Sequence, residues 1–191
     1  MTAPRVAGLL LAAGSGRRFG SPKALVDTGS GPWVLTTLAA MAGCDEIVVV
    51  VGAEAERVLP LLPSGMRSVV NPDHPSGMGS SLAAGLRAVF DTTSDVALVM
   101  LVDLPDVTTA VLDRLTELAR GSEHAPQLLA RAAYDGRPGH PVLIGRDHFT
   151  AVISDCVGDA GGRHYLRAQP VQLVECGDVG GGRDVDSPDQ L

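Results

Sequence analysis

Val6-Ala-Gly-Leu-Leu-Leu-Ala-Ala-Gly14-Ser-Gly16-Arg-Arg18-Phe-Gly20-Ser-Pro-Lys23 is the stretch that decides the fold. Its first eight residues hold nothing polar, and the next ten alternate glycines with cations. A short apolar run could serve as the core of a weak signal peptide. Here it leads straight into a basic glycine loop with chemical content, so it reads as a buried strand delivering the chain to a turn.

Working outward, the same kind of element recurs. Strands are expected at Arg5–Ala12, Glu46–Gly52, Ser68–Asn71, Val96–Val102, Gln127–Ala132, His140–Ile144 and Val171–Glu175. Ile47–Val51 and Val96–Val102 are near-continuous aliphatic runs, which suit central parallel strands covered on both faces. Helical periodicity falls between them, at Val34–Met41, Glu54–Leu61, Gly79–Phe90, Thr108–Arg120 and Asp147–Asp155. Alternation of this kind predicts an α/β fold, a three-layer Rossmann-like sandwich with a mostly parallel central sheet. The Gly-rich segment Gly177–Gly182 reads as the most flexible piece. It is too short to divide domains, so residues 1–191 are expected to form a single domain.

Composition narrows the class. The chain has 15 Lys+Arg against 22 Asp+Glu, a net charge of −7, so neither nucleic acid nor an anionic membrane is expected as a partner. Hydrophobic residues make up 45% and aromatics only 3%, which calls for an aliphatic core. The 3 cysteines, Cys44, Cys156 and Cys176, show no CxxC spacing and read as reduced thiols. No apolar stretch nears the roughly 18 residues of a membrane span. A cytoplasmic location is expected.

In open α/β sheets ligands sit beyond the carboxyl ends of the strands. The loop after the first strand offers backbone N–H groups at Gly14, Ser15 and Gly16, with Arg18 and Lys23 adding full positive charges. That is a phosphate-binding composition. It lacks the Gly-Lys-Ser/Thr ending of a Walker A loop, and Gly20 falls one place late for the dinucleotide fingerprint. Three glycines alone would fit a tight strand-to-helix turn equally well; the two cations favour a functional loop.

Leu-Ala-Ala-Gly-x-Gly-x-Arg-x-Gly-x-x-Lys, from Leu11 to Lys23, resembles the signature of the MobA/MocA-like NTP transferases. The resemblance implies that Leu11, Ala12, Ala13, Gly14, Ser15, Gly16, Arg18 and Lys23 wrap an incoming NTP. It also implies that Arg18 and Lys23 act catalytically by stabilising the departing pyrophosphate.

A second candidate stands where Val96–Val102 ends in Asp103-Leu-Pro105. A carboxylate there is costly unless paired with a cation, and Mg²⁺ typically takes one or two carboxylates plus substrate phosphates. Asp103 as a cap for the helix near Thr108 would have to reach across five residues. The resemblance implies that Asp103 is catalytic, meets the nucleotide and holds Mg²⁺, with Mn²⁺ as the alternative ion. Val102 departs from the family's glycine. The tail Asp184-Val-Asp186-Ser-Pro188-Asp-Gln190 resembles the family's closing segment, with Ser187 in place of Thr and Gln190 in place of Asp. Asp186 is implied as the second metal ligand and Asp184 as the competing choice.

Two further segments resemble the cytidylyltransferase branch that completes a molybdopterin cytosine dinucleotide cofactor. In Asn71–Leu86, the residues Asn71, Gly77 and Ser80 are implied at the nucleotide, with Gly77 and Gly79 leaving room for a base against the backbone. In Gly136–Val142, Gly139 and His140 are implied at the acceptor, as are Asp159 and Arg163 of Gly158-Asp-Ala-Gly161-Gly-Arg163. His140 on its own would more often be structural.

The resemblance implies CMP transfer from CTP to a phosphorylated acceptor such as molybdopterin. Pyrophosphate would leave, and the product would pass to a molybdoenzyme or its chaperone. The competing readings are a guanylyl- or sugar-phosphate nucleotidyltransferase, and a catalytically silent cofactor-binding or delivery protein.

Overall fold

A computed structural model describes residues 2–190. Seven strands form one sheet: β1 (Val6–Ala12), β2 (Glu46–Val51), β3 (Arg67–Val70), β4 (Val96–Leu101), β5 (Leu129–Tyr134), β6 (Arg137–Gly145) and β7 (Gln172–Glu175). Their order is β3-β2-β1-β4-β6-β5-β7, and every neighbouring pair is parallel except the two made by β6. All seven predicted strands exist, with ends shifted by a few residues. The antiparallel course of β6 follows from its tight turn at Asp135-Gly136, both in left-handed conformation, which returns the chain directly beside β5.

Helices cover both faces. α1 (Trp33–Ala40), α2 (Ala55–Val58) and α4 (Thr109–Arg120) pack on one side, where Leu10, Val49 and Leu98 meet Val34, Leu38, Val58, Leu112 and Leu115. α3 (Met78–Phe90) and α5 (Phe149–Asp155) cover the other, where Leu9, Val48 and Val99 meet Leu82, Leu86, Phe149 and Val152. Alternate residues of β1 thus serve opposite layers, as the period of a strand requires. Aliphatic side chains suffice because helix and sheet approach closely: a Cβ at Gly85 would lie 2.4 Å from Leu9 Cδ1.

Three expectations need correction. The helix at Glu54–Leu61 is α-helical only over α2 and tightens to a 3-10 turn at Leu59–Leu61, because Pro60 supplies no N–H. A short helix α6 (Arg163–Arg167) was not anticipated; five residues are too few to show a period. The Gly177–Gly182 segment is docked rather than loose. Gly180 N donates to Cys176 O (3.1 Å), Gly181 N to Asp106 O (2.9 Å) and, further on, Val185 N to Asp103 O (3.1 Å). Its glycines let the backbone lie flush on β4's outgoing loop. No helix is long and apolar enough to cross a membrane among the described residues.

The sheet order reverses direction between β1 and β4. That switch point opens a crevice at the carboxyl ends of both strands.

Candidate active site

The glycine loop leaves β1 at this crevice. Leu11, Ala12 and Ala13 are buried, with side chains in the two core layers, and the carbonyls of Leu11 and Ala13 accept from Val102 N (3.2 Å) and Ala53 N (3.1 Å). These three residues therefore hold the root of the loop and present no side chain to a ligand. Gly16 makes the turn: φ is +57°, a Cβ would stand 1.9 Å from Ser21 O, and its own carbonyl accepts from Phe19 N and Gly20 N. Gly14 and Ser15 are exposed, and a Cβ at Gly14 would meet open space. Phe19 anchors the loop edge-on against Trp33 of α1, with ring centroids 5.8 Å apart.

Lys23 returns from the loop into the crevice. Its Nζ donates to Asp103 Oδ2 at 2.8 Å and to Asp186 Oδ1 at 2.7 Å, with a side chain only 14% exposed. Arg18 Nη1 donates to Asp186 Oδ2 at 3.1 Å from a largely exposed position. The structure thus brings together Arg18, Lys23, Asp103 and Asp186, although 168 positions separate Arg18 from Asp186. Partial burial opposes the charge on Lys23. The hydrogen bonds and charges of Asp103 and Asp186 more than reverse that, leaving its pKa above the ordinary lysine value. Lys23, with Arg18 assisting, holds the Asp186 carboxyl below the usual carboxylate value.

Asp186 reaches this point because the tail is strapped. Val185 is buried, and Gln190 Oε1 accepts from Asp186 N (2.6 Å) and Ser187 N (2.9 Å). Gln190 therefore performs with an amide oxygen the same capping that an Asp oxygen could perform. Asp184 is exposed and makes no ion pair among the described residues. Helix α4 is capped by Thr108, whose Oγ1 lies 3.4 Å from Val111 N, so Asp103 has no capping role.

The residues expected around the base and acceptor are placed differently. Asn71 is buried, and its Nδ2 donates to Ser80 Oγ (2.9 Å) and Ser81 Oγ (3.0 Å). Ser80 in turn donates to the carbonyls of Asp73 and Gly77. Asn71 and Ser80 hold this loop in shape. The space beside Gly77 and Gly79 is filled by the Gly158–Asp159 backbone, where added Cβ atoms would lie 2.4 Å and 2.9 Å from Gly158 atoms. That close approach, rather than room for a base, is what requires glycine here.

Gly139 lies against the Tyr134 ring, and Tyr134 Oη donates to His140 O at 2.8 Å. His140 is half-buried; desolvation, then the charges of Arg131 and Arg163, push its pKa down to about 4. Asp159 is exposed beside Gly77 at the start of α3, whereas Arg163 is exposed beside Arg131 of β5, so the two do not meet at one point. Arg131 and Tyr134 escaped the sequence reading because nothing around them forms a motif. One further signal marked the Lys23 cluster: Lys23 is the sole lysine in a chain with 14 arginines.

A family model described as the MobA-like NTP transferase domain matches residues 8–174. The chain belongs to the MobA-like NTP transferase family. It is 40% identical over 203 aligned positions, covering 98% of this chain and 95% of the relative, to a protein of Paenarthrobacter nicotinovorans named nicotine blue oxidoreductase. It is 31% identical to a molybdenum cofactor guanylyltransferase of Rhodobacter capsulatus, covering 78% of this chain and 68% of that one. Among solved structures, Rv0371c of Mycobacterium tuberculosis in complex with manganese is 26% identical, with a TM-score of 0.74, covering 91% of this chain and 89% of that chain. Membership in the MobA-like family makes the chain a nucleotidyltransferase-family protein. It leaves the donor base and acceptor to be argued from this chain.

Asp103 and Asp186 suit a divalent metal. Both offer hard oxygen donors that converge on one cationic atom, Lys23 Nζ. No group of three or more His, Cys, Asp or Glu side chains lies close enough to form a closed metal site among the described residues. Two carboxylates with positions left for phosphate and water fit Mg²⁺ or Mn²⁺ better than a structural zinc centre.

Proposed function

We propose that the protein is a Mg²⁺-dependent nucleotidyltransferase that moves CMP from CTP onto a phosphomonoester acceptor of the molybdopterin class. The observation that carries this reading is the position of Lys23 Nζ between Asp103 and Asp186, beside a glycine loop at the switch point. An acceptor phosphate oxygen attacks the α-phosphorus in line, a new P–O bond forms, and the α–β bridging bond breaks to release pyrophosphate. Arg18 and Lys23 offset the charge that develops on the leaving oxygen, which is the main service a protein renders to such a reaction. Asp103 and Asp186 would hold Mg²⁺, which supplies charge neutralisation and a template for the phosphates. A phosphate nucleophile is already ionised near neutral pH, so no general base is needed.

The cytidylyl form rests only on the sequence resemblance of Asn71–Leu86 and Gly136–Val142 to the cytidylyltransferase branch, since Asn71, Gly77 and Ser80 are spent on shaping their own loop. GTP is the competing donor, favoured by the Rhodobacter capsulatus relative. The Paenarthrobacter relative favours a second reading, in which the loop holds the pyrophosphate of a nicotinamide dinucleotide for hydride transfer. Two carboxylates converging beside the loop weigh against it, since without a metal they repel a pyrophosphate.

The test incubates the purified chain with Mg²⁺, molybdopterin and CTP, GTP or ATP in turn, following pyrophosphate. Parallel reactions with NADH or NADPH and nicotine blue follow loss of the reduced nucleotide. Trp33, the single tryptophan, lies beside Phe19 of the loop and reports nucleotide binding by fluorescence apart from turnover. CTP-dependent release supports the proposal. Release with GTP alone removes the cytidylyl form, and oxidation of NADH without pyrophosphate release overturns transfer altogether.

A further inference from the structure

Apart from the Lys23 cluster, a group of unneutralised charges lies on the far half of the sheet. A cleft of about 420 Å³ is lined by Arg131 of β5, Pro138 of β6, Arg163, Leu166 and Arg167 of α6, and Val171 and Leu173 around β7. None of its three arginines has a carboxylate within 4.0 Å among the described residues. In a chain of net charge −7, three cations gathered without a partner call for an external anion.

Arg131 is the telling member. It is half-buried, and its Nε donates to Gly139 O at 3.0 Å, which fixes the plane of the guanidinium. Among the described residues no hydrogen bond engages its two terminal nitrogens, and neither is a sealed, unsatisfied atom. A planar fork held at one end and open at the other is the geometry by which arginine takes phosphate. The nearby His140 adds no competing positive charge, because burial and the same arginines keep its imidazole neutral.

We infer that the Arg131–Arg163–Arg167 cleft is an anion subsite that binds the phosphomonoester of an organic substrate. Leu166, Val171, Leu173 and Pro138 give that substrate's body an apolar wall, and Leu173, 48% exposed, has nothing else to cover it. The cleft connects to the catalytic carboxylates through one side chain. The Tyr134 ring packs against Gly139, whose carbonyl holds Arg131, and against Gly182, four residues before Asp186. An occupant here lies on the β6-β5-β7 side, across the switch point from the glycine loop. Assigning it as the acceptor rests on the nucleotidyl-transfer reading; the affinity for anions does not.

The test titrates the full-length ¹⁵N-labelled protein with inorganic phosphate at constant ionic strength, following the arginine Nε–H resonances. Arg131, Arg163 and Arg167 are expected to shift with one common midpoint. Arg163→Ala combined with Arg167→Ala, both exposed on α6, is expected to abolish the Arg131 response while leaving the Arg18 response in place. Absence of a cleft response, or the same response to chloride, overturns the subsite. In the transfer assay, Arg167→Ala should raise KM for the acceptor about tenfold or more with KM for the NTP unchanged. A raised NTP KM instead overturns the acceptor assignment. A wild-type protein without transferase activity defeats the functional reading, while the phosphate titration still judges the cleft.

Discussion

Lys23 is tied to both carboxylates in the structure, and its removal separates two roles. On the proposed mechanism, Lys23→Met deletes an interaction that a departing pyrophosphate needs most in the transition state, so turnover is expected to fall about 10²–10³-fold, the scale seen when one such donor is lost. Nucleotide binding read by Trp33 fluorescence should weaken far less; equal losses in both would assign Lys23 to ground-state binding only. The tail offers a sharper comparison. Asp186→Asn should abolish Mg²⁺-dependent turnover, whereas Asp184→Asn, an exposed carboxylate with no ion pair, should stay within a few-fold of wild type. The reverse pattern would move the metal site to Asp184. Gly16→Ala is expected to destabilise by about 1–3 kcal/mol, since the residue needs a left-handed φ and its Cβ would meet the Ser21 carbonyl. Unchanged thermal unfolding would show that the loop relaxes freely.

Among the elements, the closing strap from Gly180 to Gln190 has the least regular structure and the largest consequence for the site. It has no long hydrophobic run; it is fixed by glycines lying flush on Asp106 and Tyr134, by buried Val185 and by Gln190. Gly182→Ala would place a Cβ 2.1 Å from the Tyr134 ring, so the strap must lift and take Asp186 with it. The expected result is a higher Mg²⁺ requirement with only a modest fall in melting temperature, because the strap gives the core a single fully buried side chain, Val185. A large fall in melting temperature would mean that lifting the strap draws Val185 out of the core. Gly85→Ala is the counterpart in a regular element. Alanine gains about 1 kcal/mol in helix propensity, but the crowding on Leu9 and Val50 costs roughly 1–3 kcal/mol, so net destabilisation is expected in urea unfolding.

These elements also show what a sequence exposes. β1, β2 and β4 were legible because a strand buried on both faces has almost no alternative composition, and the tight turn after β1 was legible because its glycines mark where the chain must take a left-handed φ. α6 and the docking of Gly177–Gly182 were not, since a helix under two turns lacks a period and glycine runs look alike whether loose or pressed against a neighbour. Asn71, Ser80 and Gly77 carried a pattern that the resemblance assigned to substrate, while the backbone uses them to shape a loop against Gly158–Asp159.

At the scale of the whole molecule, the sheet divides at its switch point into a β3-β2-β1-β4 half bearing the glycine loop and a β6-β5-β7 half bearing the arginine cleft. His140 lies in the second half, and its burial there makes folding sensitive to acid. Its folded pKa is about 4 against an ordinary value near 6.5. Above about pH 6.5 the imidazole is neutral folded or unfolded and costs nothing. Between about 6.5 and 4 the unfolded chain takes a proton that the folded protein refuses, so stability falls as pH falls through that window. Asp186 is depressed from the ordinary carboxylate value, so its contribution is lost only at lower pH and does not mask the effect. The loss attributable to His140 is on the order of 1–3 kcal/mol, reduced from the full shift because the ring keeps some contact with solvent. Urea unfolding at about pH 7, 5.5 and 4.5 should show this slope in the wild type and a flatter one in His140→Gln. Comparing slopes rather than midpoints removes any packing defect that the substitution introduces. Parallel slopes would place the acid sensitivity elsewhere and show that the folded protein accepts a charged His140 beside Arg131 and Arg163.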